Sequence, residues 1–170
     1  MNFISKKESN LDRKHKEYIE YVRKTIKECM CEELYDHSIG TYSYALMLAE
    51  KYLSDDFKNV EGYHYFKISI ASLLHDYGKI YNFEELKKIA VDAKLKISRF
   101  ERNCSQILHS FAAPYLIKRD FQINDKTINH AVKSHTTGSC KMNLIDKILY
   151  IADKVEETRC YEGIENLRKL

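Results

Sequence analysis

A chain of 170 residues, 44% hydrophobic and 31% charged, is long enough for one sizeable core beneath a solvated surface. A net charge of +3 without any arginine- or lysine-rich block excludes a surface that tracks a phosphate backbone, so no nucleic-acid partner is expected. The apolar stretches are far shorter than a membrane span, no apolar run follows a basic start, and the five cysteines form no CxxC pair. These features predict a cytoplasmic protein with free thiols and no membrane partner.

One proline and five glycines are few for this length, and apolar residues recur at helical intervals almost throughout, which predicts an all-α fold. Residues 11–33 carry Leu11, Tyr18, Val22, Ile26 and Cys29 on one stripe. Residues 38–53 carry Ile39, Tyr42, Leu46, Ala49 and Leu53, and Ser54–Gly62 follows as the clearest loop. The stretch 64–76 (HYFKISIASLLHD) is apolar on most faces and reads as the central buried helix. Shorter helices are expected over 83–93 and 104–120, and another over 125–135 capped by Asn124 or Asp125. The segment 143–158 opens with Asn143 and places Asp146 three residues on, a helix-start signature. A last helix is expected from near Tyr161 to Leu170. With no repeat and no linker, residues 1–170 read as a single domain.

Six side chains stand out as metal donors: His37, the adjacent His75 and Asp76, His109, His135 and Asp153. Nitrogen and oxygen ligands without thiolates favour iron, manganese or zinc. His75 and Asp76 fall at the end of the central helix, with Gly78 placed to terminate it. A carboxylate there opposes the helix dipole, a conflict that metal ligation would remove; an ordinary helix end is the alternative. His37 follows Tyr35 and Asp36 at a helix start, where capping or a surface position competes with ligation. Asp153 lies beside the apolar stripe Ile145–Leu149–Ala152, so it is salt-bridged to a lysine, protonated or bound to a metal. His109 sits in QILHSFAAPYL, and His135 heads the run HTTG. The hydroxyls and amides of Thr136 and Thr137 can hold phosphate oxygens, or HTTG is simply a polar turn. His15, His64 and His130 read as surface or satisfied core residues.

The order His37, His75-Asp76, Asp153 in an all-helical chain resembles the HD superfamily of metal-dependent phosphohydrolases. The segments HSIG (37–40), ASLLHDYGK (71–79), ILHSFAAPYL (107–116), SHTTG (134–138) and DKILYIADKVEETR (146–159) resemble one branch, the bacterial symmetrical bis(5'-nucleosyl)-tetraphosphatase family. The likeness runs from about residue 20 to the end. It implies the helical HD bundle, with His37, His75, Asp76 and Asp153 as primary iron ligands. His109 and His135 match positions that bind a second ion with Asp76 bridging, so one or two ions are implied, and manganese would satisfy the same donors. The implied reaction takes diadenosine tetraphosphate and water to two ADP.

On that resemblance Asp76, Lys79 and His109 carry the catalysis. Substrate contacts fall to Asp76, Lys79, His109, His135, Thr136, Thr137, Asp153 and Arg159. Lys79 would hold phosphates, unless it is a solvated lysine beyond a helix end, and Arg159 could fork onto phosphate oxygens. His109 either completes the second metal site or donates to the leaving phosphate. Three departures accompany the likeness. Leu34 replaces an arginine, Glu156-Glu157-Thr158-Arg159 replaces Glu-Pro-x-Arg, and relatives continue through a further helix beyond Leu170 that can complete the nucleotide pocket. Rival readings are another HD-superfamily nucleotide phosphohydrolase, a dinuclear-iron oxygenase, or a nucleotide sensor without turnover. A homodimer is compatible with all of them.

Overall fold

Asp12 accepts the His15 amide and starts α1 (Arg13–Cys29), whose Ile19, Val22 and Ile26 are buried on one face. The computed structural model describes residues 11–53 and 63–169; the loop expected at 54–62 and the expected helix end at Leu170 lie outside them. The chain turns at Met30 and Cys31, both extended, and α2 (Glu32–Tyr52) begins at once. Its start lies six residues earlier than the apolar stripe suggested, because Glu32 and Glu33 in the first turn suit the helix N-terminus without adding any apolar signal. His37 is therefore no cap. It sits inside α2 on the face shared with Thr41 and Ala45 and is buried there.

The central helix α3 (Tyr63–Leu74) buries every residue from Ile68 to Leu74 and packs against α1, α2, α7 and α8. Expected to run through Asp76, it stops at Leu74, and His75 and Asp76 lie in the link to a 3₁₀ turn over Tyr77–Ile80. Asp76 (φ −100°, ψ 10°) thus precedes a new helical turn, and the expected clash with a helix C-terminus does not arise. Gly78 does not end α3 through a left-handed backbone either; the described positive-φ glycines are Gly138 and Gly163. Its role is close approach: a Cβ at 78 would lie 2.6 Å from the His109 carbonyl oxygen. The turn is thereby pressed onto α6.

Two further capping boxes follow. Asn82 and Glu85 open α4 (Phe83–Asp92), and Ser98 and Glu101 open α5 (Arg99–Asn103). The second helix was not expected, because its five residues bury nothing and leave no apolar period to read. α6 (Ser105–Phe121) runs through Pro114, and Asp125 is the residue that caps α7 (Lys126–Ser134). The reciprocal pair Asn143 and Asp146 opens α8 (Leu144–Val155) as expected, and a short α9 (Ile164–Arg168) begins three residues later than expected, after Gly163 at φ 84°. The fold is all-α, and one buried cluster joins Leu11 of the N-terminal segment to Ala152 of α8. Among the described residues no helix is long and apolar enough to cross a membrane.

Gly78→Ala is expected to destabilise the protein by about 1–3 kcal/mol, because the added methyl meets backbone that cannot swing aside. Urea unfolding measures it, and an unchanged midpoint would show that the turn stands off α6.

Candidate metal centre and its cationic rim

Three imidazoles are held in one orientation by what their Nδ1 atoms donate to. His37 Nδ1 donates to Glu156 Oε1 at 3.0 Å, His75 Nδ1 to the Ser72 carbonyl at 2.8 Å and His135 Nδ1 to the Val132 carbonyl at 2.6 Å. Each ring therefore turns its Nε2 inward, the arrangement by which outer hydrogen bonds orient metal-binding histidines. The 3₁₀ turn, α6 and the end of α7 bring the remaining donors to the same place.

The donors form two sets that share Asp76. In one, His37 Nε2 lies 3.1 Å from His75 Nε2 and 3.0 Å from Asp153 Oδ1. Asp76 Oδ2 faces the same two rings at 3.5 and 3.4 Å. In the other, Asp76 Oδ1 lies 3.2 Å from His109 Nε2 and 3.3 Å from His135 Nε2, and those rings approach to 3.3 Å. Asp76 is fully buried, yet its Oδ1 has no hydrogen-bond donor. An orphaned carboxylate oxygen among imidazole nitrogens is costly unless a cation sits between them. Donor separations of 3.0–3.6 Å are what ligands about 2.0–2.2 Å from a common ion require. The residues fit a metal at either set.

The charge states agree. Burial pushes the His75 imidazole down, but the Asp76 and Asp153 carboxylates outweigh it and raise the group to about 10. Burial likewise pushes both carboxyls up, and the surrounding imidazoles hold them well below the usual carboxylate range. At His135 burial prevails and keeps the ring neutral. In a metal-free protein a proton on His75 thus supplies positive charge that an ion would displace.

Three cations rim the cluster, each roughly two-fifths exposed. Lys79 Nζ donates to Asp76 Oδ2 at 2.6 Å, Lys154 Nζ donates to Asp153 Oδ2, and Arg159 Nη2 donates to Asp153 Oδ1 at 2.8 Å. Arg159 also reaches His37 Nε2 at 3.1 Å and the Asp153 carbonyl at 2.9 Å. These groups sit where an anion entering from solvent would meet them. The Thr136 hydroxyl lies 3.0 Å from His135 Nε2, while Thr137 is exposed and its hydroxyl turns to the Gly138 carbonyl. Every residue singled out from the sequence is thus gathered except Thr137. Of the histidines set aside, His130 pairs with Asp146 at 2.7 Å and His15 stacks on Phe66.

Two contributors went unread in the sequence. Asp153 does meet a lysine, the adjacent Lys154, while facing His37 and His75 at the same time. Glu156, fully buried three residues after Asp153, accepts from His37 and from the Thr158 hydroxyl and amide. Burial pushes its carboxyl up, and the Thr158 hydrogen bonds with His37 bring it below its ordinary value. Gly40 makes room for it, since a Cβ there would lie 2.3 Å from Glu156 Oε2. The i, i+3 spacing of two acids across the end of α8, Asp153 in its last turn and Glu156 at its C-cap, was the available signal.

Two outcomes follow from this geometry. Ferrous or manganous ion at about 100 times its Kd is expected to stabilise metal-free protein by about 2.7 kcal/mol, read as a rise in Tm; an unmoved Tm would contradict a preformed site. Glu156→Gln, helical by circular dichroism, is expected to bind the ion about 10–100-fold more weakly in a competition titration, because His37 loses its anionic acceptor.

The HD domain family model matches residues 34–158, the span that contains all six donors. The symmetrical bis(5'-nucleosyl)-tetraphosphatase of Bacillus subtilis (strain 168) is 31% identical over 145 residues, covering 85% of this chain and 73% of that protein. The symmetrical bis(5'-nucleosyl)-tetraphosphatase of Halalkalibacterium halodurans is 29% identical over 143 residues, 84% of this chain and 71% of that one. The crystal structure of a predicted HD superfamily hydrolase involved in NAD metabolism from Clostridium acetobutylicum superposes with a TM-score of 0.78 at 31% identity, covering 88% of this chain and 75% of its own. Donor geometry and likeness agree: the chain belongs to the HD domain family, in its branch of symmetrical bis(5'-nucleosyl)-tetraphosphatases.

Proposed function

We propose that this protein hydrolyses diadenosine tetraphosphate at the centre of its phosphate chain and releases two ADP. The observation that carries this reading is Asp76, buried, with one oxygen facing each donor set and no donor to satisfy Oδ1. Relatives that bear the activity in their names support it across most of the chain.

His37, His75, Asp76 and Asp153 would hold one ion, and Asp76, His109 and His135 a second. We assign iron, and manganese fits the same nitrogen and oxygen donors. When bound, such ions activate water near neutral pH and neutralise phosphoryl charge. The chain's own residues do the remainder. Lys79, Lys154 and Arg159, already aimed at the carboxylates, move their hydrogen bonds to phosphate oxygens and hold the tetraphosphate at the cluster. Thr136 adds a hydroxyl beside His109 and His135. Water adds its oxygen to an inner phosphorus and gives its proton to solvent, the bond from that phosphorus to the bridging oxygen breaks, and the bridging oxygen leaves with ADP, whose charge Lys79 and Arg159 meet. A phosphate leaving group needs no proton from the protein, so His109 serves as a donor to the ion. We also take residues 1–170 as one domain, since α1 shares the core of the matched span. The five free cysteines suit a reducing cytoplasm.

Metal-loaded protein is expected to convert diadenosine tetraphosphate to ADP alone, followed by anion-exchange chromatography. Lys79→Ala should lower kcat/KM by about 10²-fold, the scale of one lost charge-stabilising donor. ATP with AMP as products, or an undiminished Lys79→Ala rate, would overturn the assignment.

A further inference from the structure

We propose that Asp120, at the C-terminal end of α6, is a positioning residue that aims Lys79 at the phosphate chain by way of Tyr77 and Tyr81. The proposal rests on the reaction proposed above only for the task given to Lys79; the latch itself is made of contacts outside the metal donors.

In a 3₁₀ turn side chains three residues apart eclipse, so the segment from Asp76 to Tyr81 presents three faces. Asp76 and Lys79 share one, and their side chains meet at 2.6 Å. Gly78 and Tyr81 share the second: Gly78 presses on the His109 backbone, and the Tyr81 hydroxyl accepts from Arg119 Nη2 at 2.6 Å. The third carries Tyr77, whose buried ring meets Phe121 edge-on and whose hydroxyl donates to Asp120 Oδ2 at 3.2 Å.

Both tyrosines therefore end on one anchor. Arg119 Nε and Nη2 hold Asp120 Oδ1 and Oδ2 at 2.6 and 2.7 Å, a bidentate fork that fixes the carboxylate Tyr77 reaches. The next residue, Phe121, is tied to α1, since its carbonyl accepts the Tyr18 hydroxyl. Lys79 needs this anchor more than Asp76 does. Asp76 is fully buried between imidazoles, whereas the Lys79 side chain is 44% exposed and its ion pair is with Asp76. When its ammonium passes from Asp76 to a phosphate oxygen, its reach is set by the backbone of the turn. That backbone is pinned on both sides of Lys79, at Tyr77 and at Tyr81. A misplacement of about 1 Å by a residue far from the chemistry can cost about 10²-fold in rate, so such pinning matters.

The test removes one hydroxyl. Tyr77→Phe keeps the ring against Phe121 and leaves Asp120 Oδ2 bonded to Arg119, so no buried acceptor is orphaned. On metal-loaded protein it is expected to lower kcat/KM for diadenosine tetraphosphate about tenfold. Added to Lys79→Ala it should cost nothing further, since the residue it positions is gone. Iron affinity in a competition titration should not change. Asp120→Asn, which retains an oxygen for Tyr77, should keep most of the rate that Asp120→Ala loses. An undiminished rate in Tyr77→Phe, costs that add in the double variant, or iron affinity that falls in step with the rate would overturn the proposal. Should the parent leave diadenosine tetraphosphate intact, the reaction falls, and the latch is read by calorimetry with inorganic pyrophosphate. Tyr77→Phe is then expected to bind it about threefold more weakly, with no such loss once Lys79 is alanine. Equal pyrophosphate affinity in the parent and Tyr77→Phe would sink the latch as well.

Discussion

The structure depends on burying a carboxylate one of whose oxygens has no hydrogen-bond donor. Asp76 is sealed from water at the end of the most buried helix, with imidazole nitrogens on both sides. Leaving one oxygen of a buried carboxylate unpaired is costly, so the local architecture makes sense with further positive charge supplied beside Oδ1. The early end of α3, the 3₁₀ turn and the contact of Gly78 with the His109 backbone all serve to hold that carboxylate between two donor sets.

Around this anion the fold separates orientation from charge. Orientation comes from inside: Glu156, the Ser72 carbonyl and the Val132 carbonyl grip three imidazoles from behind, and Gly40 admits Glu156 to α2. Mobile charge comes from the mouth, where two lysines and an arginine rest on the carboxylates and remain partly exposed. Such cations are suited to exchange partners when a polyphosphate arrives, since their present contacts are half solvated.

Much of this was readable beforehand, for identifiable reasons. Capping chemistry is local, so Asp125 and the Asn143–Asp146 pair announced their helices. The apolar run of α3 marked the centre of the bundle. The donor residues were legible because their order and flanking segments resemble a known family, whereas His37 alone pointed more to a cap or a surface position than to a ligand. What escaped depends on packing across the chain. Gly78 was given a conformational role when its reason is contact with α6, thirty-one residues away. Glu156 registered only as part of a departure from a pattern, since nothing local says that a glutamate will be buried behind a histidine 119 residues earlier. The start of α2 was misplaced because the helix begins on acidic residues that carry no apolar period.

The most direct measurement is anomalous diffraction from crystals grown with iron, collected above and below the iron absorption edge. The account predicts a difference peak among His37, His75, Asp76 and Asp153, with a second among Asp76, His109 and His135 when that set is filled. A map without a peak at either place, or one in which the imidazole Nε2 atoms turn away from Asp76, would contradict it.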